Sequence, residues 1–337
     1  MRSGLSADFP RRVLVTGGSG FIGTNLVAAF ARDGHTVLSL DIAPPRNASH
    51  APNWKSIDIM DRGALHGVFE SFRPELVVHL AARADLETRN LAGYATNIQG
   101  VSNLIDAIID TGSVERTFFA SSRLVFDLGY EPNDDRDYHA STLYGQSKAH
   151  GEELVRNAPV ELGTWSILRP TGIWGPWFGV PYADFFKTIE RGLYVHPGQR
   201  EVYKAYGYVE NTVYQIQRLA TVARSMVHAQ TFWVADYPPL LVREWAILIQ
   251  EALGAGRIRS VPVPPLKLFA LVGDALQRAG VGRAPLTSFR LNNMVSDMLY
   301  DTGPLEALVG PLPYSLTEGV NRTVDWIRGS SPSDSVA

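Results

Sequence analysis

Tyr144 and Lys148 stand four residues apart in Tyr144-Gly145-Gln146-Ser147-Lys148, downstream of the pair Ser121-Ser122. On a helix, that spacing puts the phenol and the ammonium on one face, about one turn apart. Free tyrosine titrates near pH ~10, and a neighbouring ammonium favours its charged form. A phenolate held this way can take a hydroxyl proton while a hydride leaves the same carbinol carbon. Ser122 can donate a hydrogen bond to the substrate oxygen as charge develops there. These residues suit redox chemistry at a carbinol or ketone carbon, with Ser122, Tyr144 and Lys148 as the catalytic candidates.

A hydride needs an acceptor, and the N-terminal end of the chain offers a place for one. Residues 13–16 form a short β-branched run that reads as a buried strand. Gly17, Gly20 and Gly23 follow, and residues 21–31 read as a helix. Gly17 permits a tight turn, Gly20 lets backbone approach a pyrophosphate at the helix N-terminus, and Gly23 allows close helix–strand packing. The spacing is G-x-x-G-x-x-G, not the G-x-G-x-x-G of the dinucleotide fingerprint. Asp41 ends a second strand, residues 36–41. A carboxylate there accepts both ribose hydroxyls of NAD and repels the 2′-phosphate of NADP. Arg46 works against that preference, and a turn or cap is the plainer role for Asp41. Asp58 follows a third strand and can meet the adenine amino group, and Asp61 caps a helix from Arg62.

Residues 76–82 form the fourth strand and its edge, where small residues leave room for a cofactor and His79 reads as a packed or surface histidine, not a catalyst. Asn97 precedes an amphipathic helix, residues 99–109, which it either caps or links to the region behind the nicotinamide. A fifth strand, residues 117–120, delivers Ser121-Ser122 at its C-terminal end, where open α/β sheets place ligands. This alternation predicts an α/β fold: a doubly wound parallel sheet of the Rossmann type with a smaller C-terminal substrate lobe. The nucleotide domain is expected over residues 1–170, with return elements near 205–235. The lobe is expected over 171–329 and a frayed tail over 330–337. Further helices are expected at 213–229, 242–253 and 264–279.

The 337 residues carry a formal charge of −3, 45% hydrophobic and 19% charged residues, and no cysteine. Disulfides and thiolate chemistry are excluded, a cytoplasmic setting is expected, and no metal is implied. The absence of a basic block argues against nucleic acid. No run reaches the ~20 apolar residues of a membrane span. The nearest, residues 262–276, is interrupted by Lys267 and Asp274 and is expected to be a buried or lid helix, with a one-sided membrane contact as the alternative.

Taken together, residues 17–23, Leu80-Ala81-Ala82, Ser121-Ser122, residues 144–148, Leu168-Arg169-Pro170 and Ile173-Trp174-Gly175-Pro176 resemble the extended short-chain dehydrogenase/reductase superfamily, in its NAD-dependent epimerase/dehydratase group. The resemblance spans roughly residues 11–328. It implies that Tyr144 is the acid/base, that Lys148 holds the nicotinamide ribose and lowers the tyrosine pKa, and that Ser121 neighbours the cofactor. It places NAD against Gly17, Gly20, Phe21, Ile22, Gly23, Asp41, Asp58, Ile59, Leu80, Ala81, Ala82, Asn97, Pro170 and Ile173. It implies a nucleotide-sugar substrate, with Arg83, Ser122, Trp177, Lys204 and Arg290 as contacts. It also implies a homodimer through helices at 99–110 and 144–157, with Val101, Leu104, Ile108 and Leu154 in its surface. Dehydratases of the group carry Asp-Glu after the catalytic Ser/Thr; here Arg123-Leu124 follow Ser122, which disfavours elimination. Gly172 stands where many sugar-nucleotide enzymes have asparagine. A 4-epimerase is the leading expectation, with a sugar-nucleotide ketoreductase or dehydrogenase beside it. Val261-Pro262-Val263-Pro264 and Leu312-Pro313-Tyr314-Ser315-Leu316 resemble the 3-beta-hydroxysteroid dehydrogenase branch, whose substrates are apolar. A sensor that binds NADH without turnover is the non-enzymatic alternative.

Overall fold

Seven parallel strands form one sheet in a computed structural model that describes residues 12–86, 88–278 and 286–329. The expected tail at 330–337 lies outside the described residues. In chain order the strands are β1 (Arg12–Thr16), β2 (Thr36–Asp41), β3 (Trp54–Ser56), β4 (Leu76–His79), β5 (Arg116–Ala120), β6 (Thr164–Pro170) and a seventh, Gln230–Val234. Their order across the sheet is β3-β2-β1-β4-β5-β6-seventh. The chain reverses its winding beside β1, which pairs with both β2 and β4. The crevice outside the strand ends at that point is where such sheets bind ligands. The register brings Thr16 level with Leu40 and His79, so the glycine turn opens there.

The strands are continuous apolar runs because helices cover both faces. On one face, Leu26 and Phe30 of α1 (Phe21–Arg32) pack with Val213, Ile216 and Leu219 of the helix Val209–Thr221 and Leu305 of the helix Gly303–Val309. On the other, Leu65 and Phe69 of α2 (Arg62–Phe72) meet Leu104 and Ile108 of α3 (Ala95–Thr111) and Val155 of α4 (Leu143–Arg156). Asp61 caps α2 as expected, its Oδ1 accepting from Ala64 N at 3.0 Å.

The chain divides into two units. One comprises the residues up to Ile173 with Val209–Ala235 and Asp301–Pro313, and contains the sheet. The other, Trp174–Tyr208, Asp236–Tyr300 and the described residues from Tyr314, has its own aromatic core. There Trp245 of the helix Val242–Leu253 stacks on Phe185 with ring centroids 4.8 Å apart and lies 5.3 Å from Trp174.

Three expectations need correction. Val101, Leu104 and Ile108 are buried within the chain's own core, so they belong to no intersubunit surface. The helix expected at 213–229 begins earlier, at Val209, and ends at Thr221; a short helix Arg224–Val227 and a left-handed Ala229 then turn the chain into the seventh strand. The helix Val263–Arg278 is not a buried helix, because its buried stripe is Leu266, Ala270 and Gly273 while its other faces meet solvent. No helix among the described residues is long and apolar enough to cross a membrane.

Candidate active site

The glycine turn is shaped as much by the sheet as by any ligand. Gly17 has φ +72°, and a Cβ there would sit 2.5 Å from Ala81 N. A Cβ on Gly23 would sit 2.2 Å from Gly17 O. Both positions exclude a side chain so that β1, α1 and the edge after β4 can approach. Gly20 is less crowded, with only Gly17 O at 3.1 Å. It is the N-cap of α1, which has no side-chain cap and no acidic residue in its first turn. The positive end of the helix, with Phe21 and Ile22 half-buried on it, is left to an anion.

Asp41 lies beside this turn. Its Oδ2 accepts from Ser19 N at 3.0 Å and its Oδ1 from Ala43 N at 3.0 Å, which fixes the carboxylate at the end of β2. Asp58 is exposed after β3 and accepts from Met60 N. Ile59 is buried against Gly100, where a Cβ would come within 2.5 Å of its side chain. Leu80, Ala81 and Ala82 are half-buried at the edge after β4.

Asn97 does not cap its helix. It is buried inside α3; its Oδ1 accepts from Arg83 N at 2.8 Å, and its Nδ2 donates to Arg83 O and to Ser147 Oγ. It therefore ties the edge after β4 to α4. The Arg83 side chain is exposed and pairs with Asp85 at 2.6 Å. Pro170 ends β6 and is half-buried, and Ile173 is buried in the short strand Gly172–Trp174 that follows.

Tyr144 reaches Ser122 because α4 seats directly on the turn that follows it. Thr142 caps α4 through Gly145 N at 3.0 Å. A Cβ on Gly145 would stand 2.0 Å from Leu124 O, so only glycine permits the approach. Ser122 Oγ accepts from Leu124 N at 3.1 Å, and the Ser122 side chain acts on the Tyr144 phenol. Burial pushes the Tyr144 phenol up to about 12; Ser122 opposes this and Tyr94 adds to it. The chain by itself therefore holds Tyr144 as a neutral phenol, with burial the dominant influence on it. Lys148 is buried, and burial pulls it down to about 8 against attraction from Glu152. A cavity of about 10 Å³ beneath it, the size of one water, is lined by His79, Ser121, Lys148 and Glu152. His79 is packed, with Nδ1 at 2.7 Å from Thr16 Oγ1, and is neutral: burial, then Lys148, lower it to about 3.

The arrangement matches known proteins. The model of the NAD dependent epimerase/dehydratase family fits residues 13–233, well over half of the chain. The chain belongs to that family. It is an NAD-dependent enzyme of the epimerase and oxidoreductase type. It is 28% identical, over 93% of its length and 94% of the relative's, to the N-acetyl-alpha-D-glucosaminyl-diphospho-ditrans,octacis-undecaprenol 4-epimerase of Escherichia coli O157:H7. It is 27% identical to the 3-beta-hydroxysteroid dehydrogenase of Mycolicibacterium neoaurum, over 72% of this chain and 70% of the other. Its fold resembles that of the UDP-glucose 4-epimerase of Thermus thermophilus, solved with NAD, with a TM-score of 0.68 at 23% identity, over 95% and 100% of the two chains.

The residues present fit the family's cofactor. The uncapped α1 and Gly20 suit a pyrophosphate, and the fixed Asp41 carboxylate suits ribose hydroxyls. Asp41→Asn removes the charge that repels a 2′-phosphate, so the preference for NADH over NADPH should narrow by about tenfold or more, one phosphate contact being of order 1–2 kcal/mol. Fluorescence titration with both reduced cofactors reads this. An unchanged ratio would take Asp41 out of the ribose site.

The remaining candidates lie in the second unit. Lys204 is buried and its Nζ donates to Asn293 O at 2.8 Å, on the helix Ser288–Val295 that also carries exposed Arg290. Trp177 takes a left-handed φ of 71° and packs against Trp326, with centroids 5.7 Å apart. The sequence reading passed over Gly145, Tyr94 and the pair Glu152–Arg169. Glu152 left a signal, standing four residues after Lys148 on the same helix.

Proposed function

We propose that this enzyme is an NAD-dependent 4-epimerase of a sugar carried on a diphosphate, with a nucleotide sugar as the leading substrate. The observation that supports it most is the near full-length likeness to a 4-epimerase. The turn after Ser122 agrees with this, since Arg123 and Leu124 offer no carboxylate pair for dehydration. Bound NAD supplies a hydride acceptor and a positive charge beside the phenol. Tyr144 moves the hydroxyl proton, Ser122 steadies the oxygen, and Lys148 supplies the field that a phenolate needs. Inversion at C4 requires the ketone to be held until hydride and proton return on its other face; oxidation requires it to leave.

The carrier has two forms to test, a nucleoside and the polyprenol that the Escherichia coli relative uses. A hydroxysteroid dehydrogenase is the second reading, favoured by the Mycolicibacterium relative and the motifs at 261–264 and 312–316. Product analysis on UDP-, GDP- and TDP-sugars, a polyprenyl-diphospho-sugar and hydroxysteroids decides among them. Inverted product without accumulating NADH supports the 4-epimerase. Stoichiometric NADH with a sugar makes it a dehydrogenase, and steroid turnover without sugar turnover moves the enzyme to the second reading.

A further inference from the structure

The helix Val263–Arg278 is apolar on the face it does not bury. Leu266, Ala270 and Gly273 turn inward, and the first two pack with Leu291 of the helix Ser288–Val295. Leu268, Phe269, Val272 and Leu276 follow one another at the spacing of a single helical face. They are exposed at 67%, 69%, 52% and 42%, with Leu271 on the flank at 61%. Elsewhere among the described residues, large exposed apolar side chains are scattered, which is ordinary for a protein surface. Here five are gathered on one helix.

In the sequence around this helix the charge is mostly of one sign. Between Glu251 and Asp297 stand six basic residues, Arg257, Arg259, Lys267, Arg278, Arg283 and Arg290, and a single acidic one, Asp274, in a chain of net charge −3. Arg257, Arg259, Lys267 and Arg290 are exposed. Asp274 is occupied locally, its Oδ1 accepting from Ser288 N at 3.0 Å.

We propose that this helix docks on an anionic lipid bilayer, its Leu268–Phe269–Val272–Leu276 stripe entering the interface and the basic residues facing lipid phosphates. An apolar stripe with Lys and Arg beside it, too short to span, is the composition of a helix that lies in a membrane surface. Anionic lipid attracts each nearby basic residue. Pairing two copies of the chain through this face would set two basic clusters against each other, which like-charge repulsion opposes. The docking is independent of the catalytic reading and holds whether or not the substrate is a sugar.

The chain has no cysteine, so a single introduced thiol reports one place. The full chain carrying Val272→Cys, labelled with an environment-sensitive fluorophore, is mixed with vesicles of phosphatidylcholine with or without phosphatidylglycerol. Val160→Cys, at a position 89% exposed on the other unit, is the control. A blue shift at position 272 is expected with phosphatidylglycerol vesicles, weaker with phosphatidylcholine alone, reduced by salt and absent at position 160. Phe269→Glu should lower co-sedimentation with these vesicles about tenfold or more while NADH binding is unchanged. No shift at 272 overturns the proposal. So does an equal shift at both positions, or a shift at 272 that follows protein concentration without lipid, the sign of a second copy or another protein surface.

Discussion

Replacing Tyr144 by phenylalanine is expected to lower turnover by about 10²-fold or more while NADH binding stays within a few-fold of the wild type. The size is that of lost general acid–base catalysis. The ring would remain between Tyr94, whose centroid lies 6.1 Å away, and the turn that carries Ser122, so the site should keep its shape. Only the hydroxyl on which Ser122 acts is removed. Because burial holds this phenol near 12 in the chain alone, the wild type should show no Tyr144 phenolate at pH 9 without cofactor. A difference ultraviolet titration of wild type against Tyr144→Phe reads that directly. Saturating NAD brings a positive ring beside the oxygen, so the same titration should then move to lower pH. Turnover within threefold of the wild type would remove Tyr144 as the acid/base. A phenolate already present at pH 9 without cofactor would contradict the neutral phenol.

The nucleotide unit was legible because each of its signals is local. A strand buried on both faces must be a continuous β-branched run, and residues 13–16 are one. A turn in which backbone meets backbone must be glycine, as at Gly17 and Gly23. The positions misread are those where the pattern is symmetric or the partner is distant in sequence. The period of residues 263–278 shows that the helix has apolar faces but not which stripe the protein covers, and the stripe buried is the smaller one. The apolar positions of α3 announce burial without naming the neighbour; Val101, Leu104 and Ile108 face their own core and not a second subunit. Gly145 looked like one small residue inside a motif. Its necessity lies in the carbonyl of Leu124, which no local pattern shows.

The largest expected effect on stability lies behind Lys148, where Glu152 and Arg169 form a buried ion pair. Arg169 Nε donates to Glu152 Oε1 at 2.9 Å and Nη2 to Oε2 at 2.6 Å, with both side chains almost wholly buried. Tyr138 Oη also donates to Oε2, at 3.0 Å, and Arg156 Nη2 lies 3.4 Å from the same oxygen. The guanidinium stands over the rings of Phe126 and Trp233, 4.9 Å and 5.3 Å from their centroids, and bonds the Asp135 carbonyl. This network binds α4 to β6, the two elements that carry Lys148 and end in Pro170. Removing one partner strands the other charge in a dry interior, which costs about 3–5 kcal/mol. Glu152→Ala and Arg169→Met should each lose about that much in urea unfolding, and the double variant should lose less than their sum because neither charge is left behind. Arg169→Lys should not rescue, since an ammonium cannot reproduce two parallel bonds to one carboxylate. Glu152→Ala also removes the attraction that holds the Lys148 pKa up. Lys148, at about 8 in the wild type, should lose its proton at lower pH, as lysine NMR would read. A loss below about 1 kcal/mol in both single variants, which is the value of an exposed pair, would mean that the network is solvated and does not brace the site.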